Sequence, residues 1–230
     1  MLTRPNWLRA TATHTKKCEL GDLMDIAVFA KAPQAGAAKT RLIPALGASG
    51  AARLQRQLTL KALGLAKRFC STQITLWCSP DTHHHFFQAL HTRFGLTLRS
   101  QSGTHLGTRM SNAFATHDGP LLLIGTDCPV LETGHLVSAV SALREGHDAV
   151  FIPAEDGGYV LVGLRCPQPR LFEDIDWGSE SVMAQTRERL TELGLRWTEP
   201  ATLWDVDRPS DLARLATLEG FADFAQRHNN

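Results

Sequence analysis

LLLIGTDCP, residues 121–129, decides how this chain folds. Four large apolar residues are stopped by Gly125 and then Pro129, the pattern of a short buried strand. Asp127 follows at once. In an open α/β sheet, a carboxylate just past a strand end stands in the crevice where ligands bind. AVFIPAEDGGY, residues 149–159, repeats the arrangement: an apolar run leads to Asp156 and two glycines.

Working outward, candidate buried strands cover 26–30, 74–78, 121–125, 149–153 and 159–164. Helical patterns lie among them. Leu54, Leu58, Ala62, Leu65 and Phe69 recur at three- and four-residue steps. Phe86, Phe87 and Leu90 mark a second helix, Met110, Ala113 and Phe114 a third, and Leu136, Val140 and Leu143 a fourth. Such alternation predicts an α/β domain with a mostly parallel sheet covered on both faces.

After Leu164 the rhythm changes, with prolines at 167 and 169. Ser179 is placed to cap a helix carrying Val182, Thr186, Leu190 and Leu193. A short strand is expected around 203–206, then a last helix opened by Pro209. Without a linker, repeat or low-complexity tract, 24–220 reads as one domain. Residues 1–23 read as a disordered or misassigned extension, and 221–230 as a frayed tail.

Bulk properties narrow the function classes. The 230 residues are 43% hydrophobic, enough for a real core. A formal charge of +1 argues against a broad basic footprint for nucleic acid, so any anion site is local. The five cysteines, at 18, 70, 78, 128 and 166, form no CxxC pair and read as buried thiols in a reducing compartment. No apolar run approaches membrane-spanning length, and 1–23 lacks a secretory apolar core, so the expected location is cytoplasmic.

Three segments can carry chemistry. FAKAPQAGAAKTRL, residues 29–42, runs from a strand through a loop holding Lys31, Gly36, Lys39 and Arg41, suited to phosphate. It is not a P-loop, because Ala38 stands where a glycine belongs. A solvated basic loop is the plain alternative. QSGTHLGTRM, residues 101–110, places Gly107 and Arg109 at a helix start, for a base or phosphate or simply a turn. Asp127 suits a hard cation, with Asp156, Asp205 and Asp207 as possible helpers. Gly157 and Gly158 would let a substrate approach the backbone beside Asp156. The histidines at 83–85 read as surface, Cys128 as a packed thiol, and Trp77, Trp177, Trp197 and Trp204 as core or pocket wall.

In this order, FAKAP…G..KTRL, Q.G..LG.RM, GTDCP, PAEDGGYVLVGL and DVD.P.DL (205–212) resemble the nucleotide-diphospho-sugar transferase superfamily, with its GT-A-like fold. The chain is similar to the bacterial radical-SAM/selenodomain-associated glycosyltransferase family, itself similar to phospholactate guanylyltransferases and molybdenum-cofactor nucleotidyltransferases. The resemblance implies a Rossmann-like three-layer sandwich. It implies that Lys31, Gly36, Lys39, Arg41, Gly107 and Arg109 bind a nucleotide and that Asp127 and Asp207 hold Mg²⁺ or Mn²⁺. Asp156, Gly157, Gly158 and Tyr159 would face a small-molecule acceptor, with Asp127, Asp156 and Lys39 catalytic. His105 stands where relatives commonly carry Asp, Ala37 and Ala38 make the first loop less polar, and Arg208 replaces a Thr.

The implied activity is a metal-dependent transferase using a nucleotide-sugar donor, a glycosyltransferase. The alternative is a nucleotidyltransferase that joins a nucleoside triphosphate to a phosphorylated acceptor and releases pyrophosphate. A non-catalytic nucleotide-binding protein is the third reading. The sequence does not set the base, sugar, acceptor or oligomeric state.

Overall fold

The computed structural model describes residues 24–69 and 73–225. The expected extension at 1–23, Cys18, Cys70 and residues 226–230 lie outside these.

Among the described residues seven strands form one sheet: β1 (Asp25–Lys31), β2 (Ile74–Ser79), β3 (Thr97–Ser100), β4 (Leu121–Ile124), β5 (Ala149–Pro153), β6 (Tyr159–Leu164) and β7 (Trp197–Thr198). Their order is β3-β2-β1-β4-β6-β5-β7. Only β6 runs antiparallel to its neighbours, so the sheet is mostly parallel, as the alternation predicts. The helices are α1 (Ile43–Arg68), α2 (His85–Phe94), α3 (Leu106–Ala115), α4 (Thr133–Arg144), α5 (Val182–Glu192) and α6 (Asp211–Leu215). None of those described is long and apolar enough to cross a membrane.

Residue alternation along the strands builds two cores. Ile26, Val28, Leu76, Ile124 and Ile152 face one layer with α1, α2 and α4 side chains. Ala27, Phe29, Trp77, Leu123 and Phe151 face the other, with Met110 and Phe114 of α3 and Met183 and Leu190 of α5. The result is the expected three-layer sandwich. A third cluster joins Leu42, Leu54 and Leu58 to Trp204, Val206, Leu212, Leu215, Phe221 and Phe224.

That third cluster corrects the domain boundary. Phe221 and Phe224 are buried, so the packed chain extends to 224, past the expected end at 220. The expected strand at 203–206 is extended chain with one bridge, Leu203 to Ala154. Its backbone is held individually: Leu203 N–H donates to Pro153 (2.9 Å), and Val206 N–H to the Asp127 carbonyl (2.9 Å). Ser179 is not the cap of α5, which begins after Ser181; its hydroxyl accepts from the Ser181 N–H. Pro209 heads the turn before α6, which starts at Asp211. Of the described cysteines, Cys78 is buried but Cys166 is exposed, against the expectation of uniformly buried thiols.

The order β3-β2-β1-β4 positions the site. From β1 the chain proceeds outward through β2 and β3, then returns to place β4 on the other side of β1. The carboxyl ends of β1 and β4 therefore flank a topological switch point, where loops diverge and leave a crevice.

Candidate functional site

A cleft of about 550 Å³ opens at this switch point. Lys31, Lys39 and Arg41 line it from the first loop, and Thr126 and Asp127 from the β4 end. The β5–β6 hairpin brings Asp156, Gly158 and Tyr159 to the same edge, because Ile124 pairs with Leu161 and Pro153 with Tyr159. The extended 203–207 segment crosses over to add Asp205 and Asp207. Arg109 and the exposed Leu106 form the far side.

The expected phosphate cations are paired with the expected metal carboxylates. Lys39 Nζ lies 2.9 Å from Asp127 Oδ1 and also donates to the Val206 carbonyl. The Arg41 guanidinium donates to Asp207 Oδ2, which pushes the already high Arg41 pKa further up. Arg109 Nε donates to the Gly103 carbonyl (3.1 Å), holding its side chain along the helix start. Lys31 is exposed and makes no ion pair among the described residues.

Two buried polar residues absent from the sequence reading support Asp127. Gln55 of α1 donates to Thr126 Oγ1 (3.1 Å), and Thr126 Oγ1 donates to Asp127 Oδ1 (3.3 Å). Gln55 is 3% exposed; its signal in the sequence is a polar side chain on the buried face of an apolar helix. On the other wall, Gln101 ties β1 to β2 by donating to the Trp77 carbonyl (2.9 Å) and the Ala30 carbonyl (3.4 Å).

Asp205, considered in the sequence only as a helper, is the most perturbed carboxyl in the cleft. Burial, then the charges of Asp156 and Asp127, push its pKa up to about 7. Cys128 also lines the cleft, and burial pushes its thiol up to about 12, as befits packing rather than nucleophilic use.

Three of the expected site glycines do not line this cleft. Gly107 does not border the cleft: a Cβ there would lie 2.5 Å from the Trp177 indole, so its role is to admit that ring. Gly157, at φ +92°, lies against the protein's own chain, with a Cβ meeting Glu180 O at 1.9 Å. Its Cβ side faces Glu180 and it lines a neighbouring cavity, whereas Gly158 lines the cleft itself. Gly36, at φ +82°, shapes the first loop without lining the cleft.

The sequence departures have local explanations. His105 caps α3, its Nδ1 accepting from the Thr108 N–H (3.3 Å), the acceptor role that Asp would fill. The acceptor missing at Arg208 is supplied by Asp211 Oδ2, which receives the N–H groups of Asp207 (2.9 Å) and Arg208 (2.7 Å). In the histidine tract, His84 Nδ1 accepts from the Phe86 N–H at the start of α2, and His83 lies 3.3 Å from Asp81. Among the described residues, no three His, Cys, Asp or Glu side chains converge to hold a metal ion.

A mostly parallel sheet with its cleft at the switch point, rimmed by paired carboxylates and cations, defines a protein with the nucleotide-diphospho-sugar transferase fold. The chain belongs to the family described as "Uncharacterized protein conserved in bacteria (DUF2064)", whose model matches residues 59–179. Among solved structures it is similar to a protein provisionally named a nucleotide-diphospho-sugar transferase from Desulfovibrio desulfuricans G20. That match has 27% identity and a TM-score of 0.76, and covers 87% of this chain and 90% of the other. Two further structures share the fold. The 4-diphosphocytidyl-2C-methyl-D-erythritol synthase of Anaerococcus prevotii DSM 20548 has 10% identity and a TM-score of 0.54, covering 89% and 97% of the two chains. A nucleotidyl transferase from Methanothermobacter thermautotroptrophicus has 14% identity and a TM-score of 0.52, covering 84% and 96%. No curated protein sequence matches the chain.

Proposed function

We propose that this protein is a metal-dependent transferase whose donor is a nucleotide sugar. One observation carries the reading: Asp127 and Asp207, the two candidate metal carboxylates, are already neutralised by Lys39 and Arg41. Asp127 and Asp207 would hold the cation of an entering metal–nucleoside diphosphate, and Lys39 and Arg41 would turn to its phosphates. Each charge then keeps an opposite partner as the ligand enters.

The donor set fits Mg²⁺ or Mn²⁺. Both are hard cations that accept one or two protein carboxylates and complete their shell with phosphate oxygens and water, so no larger protein cage is required. When bound, the metal supplies charge stabilisation for the departing diphosphate. Lys31, with Arg41 once released, would neutralise the outer phosphate oxygens, and Arg109 would hold the nucleoside side of the cleft. Lys39, nine-tenths buried, orients Asp127 until the ligand enters and would then pair with phosphate. Asp156, exposed on the hairpin tip, is placed to take the proton of an attacking hydroxyl.

The 27% identity with the Desulfovibrio protein favours a sugar donor. Nucleotidyl transfer is the second reading, favoured by the basic first loop and by the fold shared with the synthase and the nucleotidyl transferase. The two separate by product. Incubation with nucleotide sugars and Mg²⁺ or Mn²⁺ is expected to release nucleoside diphosphate slowly, by hydrolysis. Pyrophosphate release from a nucleoside triphosphate and a sugar phosphate, with no turnover of nucleotide sugars, would overturn the glycosyl reading.

A further inference from the structure

A second cavity of about 480 Å³ lies beside the cleft and shares Asp156, Asp205 and Asp207 with it as a common wall. The volume falls within the roughly 300–1,000 Å³ range of small-molecule sites. Its outer wall carries Glu155, Glu180 and Asp211, so six carboxyl groups face two arginines.

Both arginines already face a carboxylate. Arg214 donates to both oxygens of Glu155 (2.8 and 3.2 Å) and lies 4.5 Å over the Trp204 ring. Arg208 stands 3.9 Å from Glu180. A phosphorylated ligand entering this cavity would compete with Glu155 for Arg214 and with the nearby Glu180 for Arg208, and would remain among the other carboxyl groups. A metal in the first cleft arrives with the diphosphate that balances it, so it leaves the outer wall negative.

We propose that this cavity is the acceptor subsite and that it takes a neutral or cationic polyhydroxy compound, a polyol or an amino sugar, while excluding phosphorylated and carboxylated acceptors. The inference rests on the nucleotide-sugar reading of the neighbouring cleft. An acceptor hydroxyl in the cavity attacks the donor's anomeric carbon across the shared wall. The new carbon–oxygen bond forms as the bond from that carbon to the diphosphate breaks; nucleoside diphosphate leaves, and the hydroxyl proton passes to Asp156.

The test pairs acceptors that differ only by a phosphate. The protein, Mg²⁺ and a pool of nucleotide sugars are incubated with hexoses, hexosamines, myo-inositol and glycerol, and separately with the phosphate esters of the same compounds. Products are read by mass spectrometry. At least tenfold more glycosylated product is expected from the unphosphorylated pool. Product from the esters in equal or greater amount would overturn the proposal, as would no product from the unphosphorylated pool. Glu180→Lys supplies a second readout: Glu180 is exposed, so folding should be unaffected. The variant is expected to narrow the preference at least threefold and leave nucleotide-induced thermal stabilisation intact; an unchanged preference would count against the cavity. Failure of any nucleotide to stabilise the wild-type protein would instead sink the donor-site reading beneath it.

Discussion

Lys39 has a left-handed backbone, φ 47° and ψ 48°, and directs a buried ammonium to Asp127 and the Val206 carbonyl. The pair is lopsided: the side chains of Lys39 and Asp127 are 4% and 48% exposed. Removing Asp127 strands a buried cation, whereas removing the lysine leaves a carboxylate that water still reaches. Asp127→Asn is therefore expected to cost about 2–3 kcal/mol of stability and Lys39→Met about 1 kcal/mol, in urea unfolding. The reverse order would show that the buried ammonium does not depend on Asp127. Asp205 gives a pH dependence. Its folded pKa, about 7, lies above the ordinary value of 3.8, so the folded state binds the extra proton between those limits. Stability from this group is present at low pH and falls as pH rises through about 7. Asp205→Asn is expected to flatten that fall and to raise the melting temperature of the ligand-free protein at pH 8; an unchanged profile would contradict it. Gly107→Ala tests the reassigned glycine. Its Cβ would push on the Trp177 indole, costing about 1–3 kcal/mol while leaving the nucleotide-induced shift unchanged.

At the scale of elements, the carboxyl-edge loops are tied together by the C-terminal segment. Val206 is buried beside Leu42, Leu54 and Leu58, so 203–207 is pinned both to α1 and to Asp127. Phe224 is 1% exposed in the same cluster, and Phe224→Ala is expected to cost about 3–5 kcal/mol by its cavity. If the segment positions Asp207, nucleotide affinity should fall with it; a variant that unfolds earlier yet binds unchanged would separate the two. What was legible here follows from burial. β5 and β6 were read to the residue because both are fully apolar runs bounded by turns. β3 carries no such mark because TLRS is an edge strand with no apolar run, and β7 none because two residues carry no periodicity. The last segment has the β-rich composition of a strand, but its hydrogen bonds go to Pro153, Glu155, Asp127 and Lys39, a tertiary fact invisible in the sequence. The domain end has the same cause: Phe221 and Phe224 are buried by a cluster that joins α1, α6 and the 203–206 segment.

For the whole molecule, the strand order places the carboxyl ends of β1 and β4 together, and with them the basic first loop and Asp127. What the sequence makes legible is the grouping: Lys31, Lys39, Arg41, Arg109, Asp127, Asp156, Gly158, Tyr159 and Asp207 line one cleft. The glycine roles are not legible, because a glycine admits protein as readily as substrate and only the neighbouring chain tells which. Nor is the pairing of Lys39 with Asp127 and Arg41 with Asp207, which joins residues far apart in sequence. That pairing makes the central claim, a cleft built to exchange its own ion pairs for a metal-bound nucleotide. The direct measurement is a thermal-shift screen of nucleotide sugars and nucleoside triphosphates, with and without Mg²⁺ or Mn²⁺, on wild-type and Asp127→Asn protein. A ligand specific to the folded state at one hundred times its Kd adds about 2.7 kcal/mol, a shift of a few degrees. A shift from nucleotide sugars that needs the metal and vanishes in Asp127→Asn is predicted; no metal-dependent shift in wild type, or the same shift in the variant, would contradict the account.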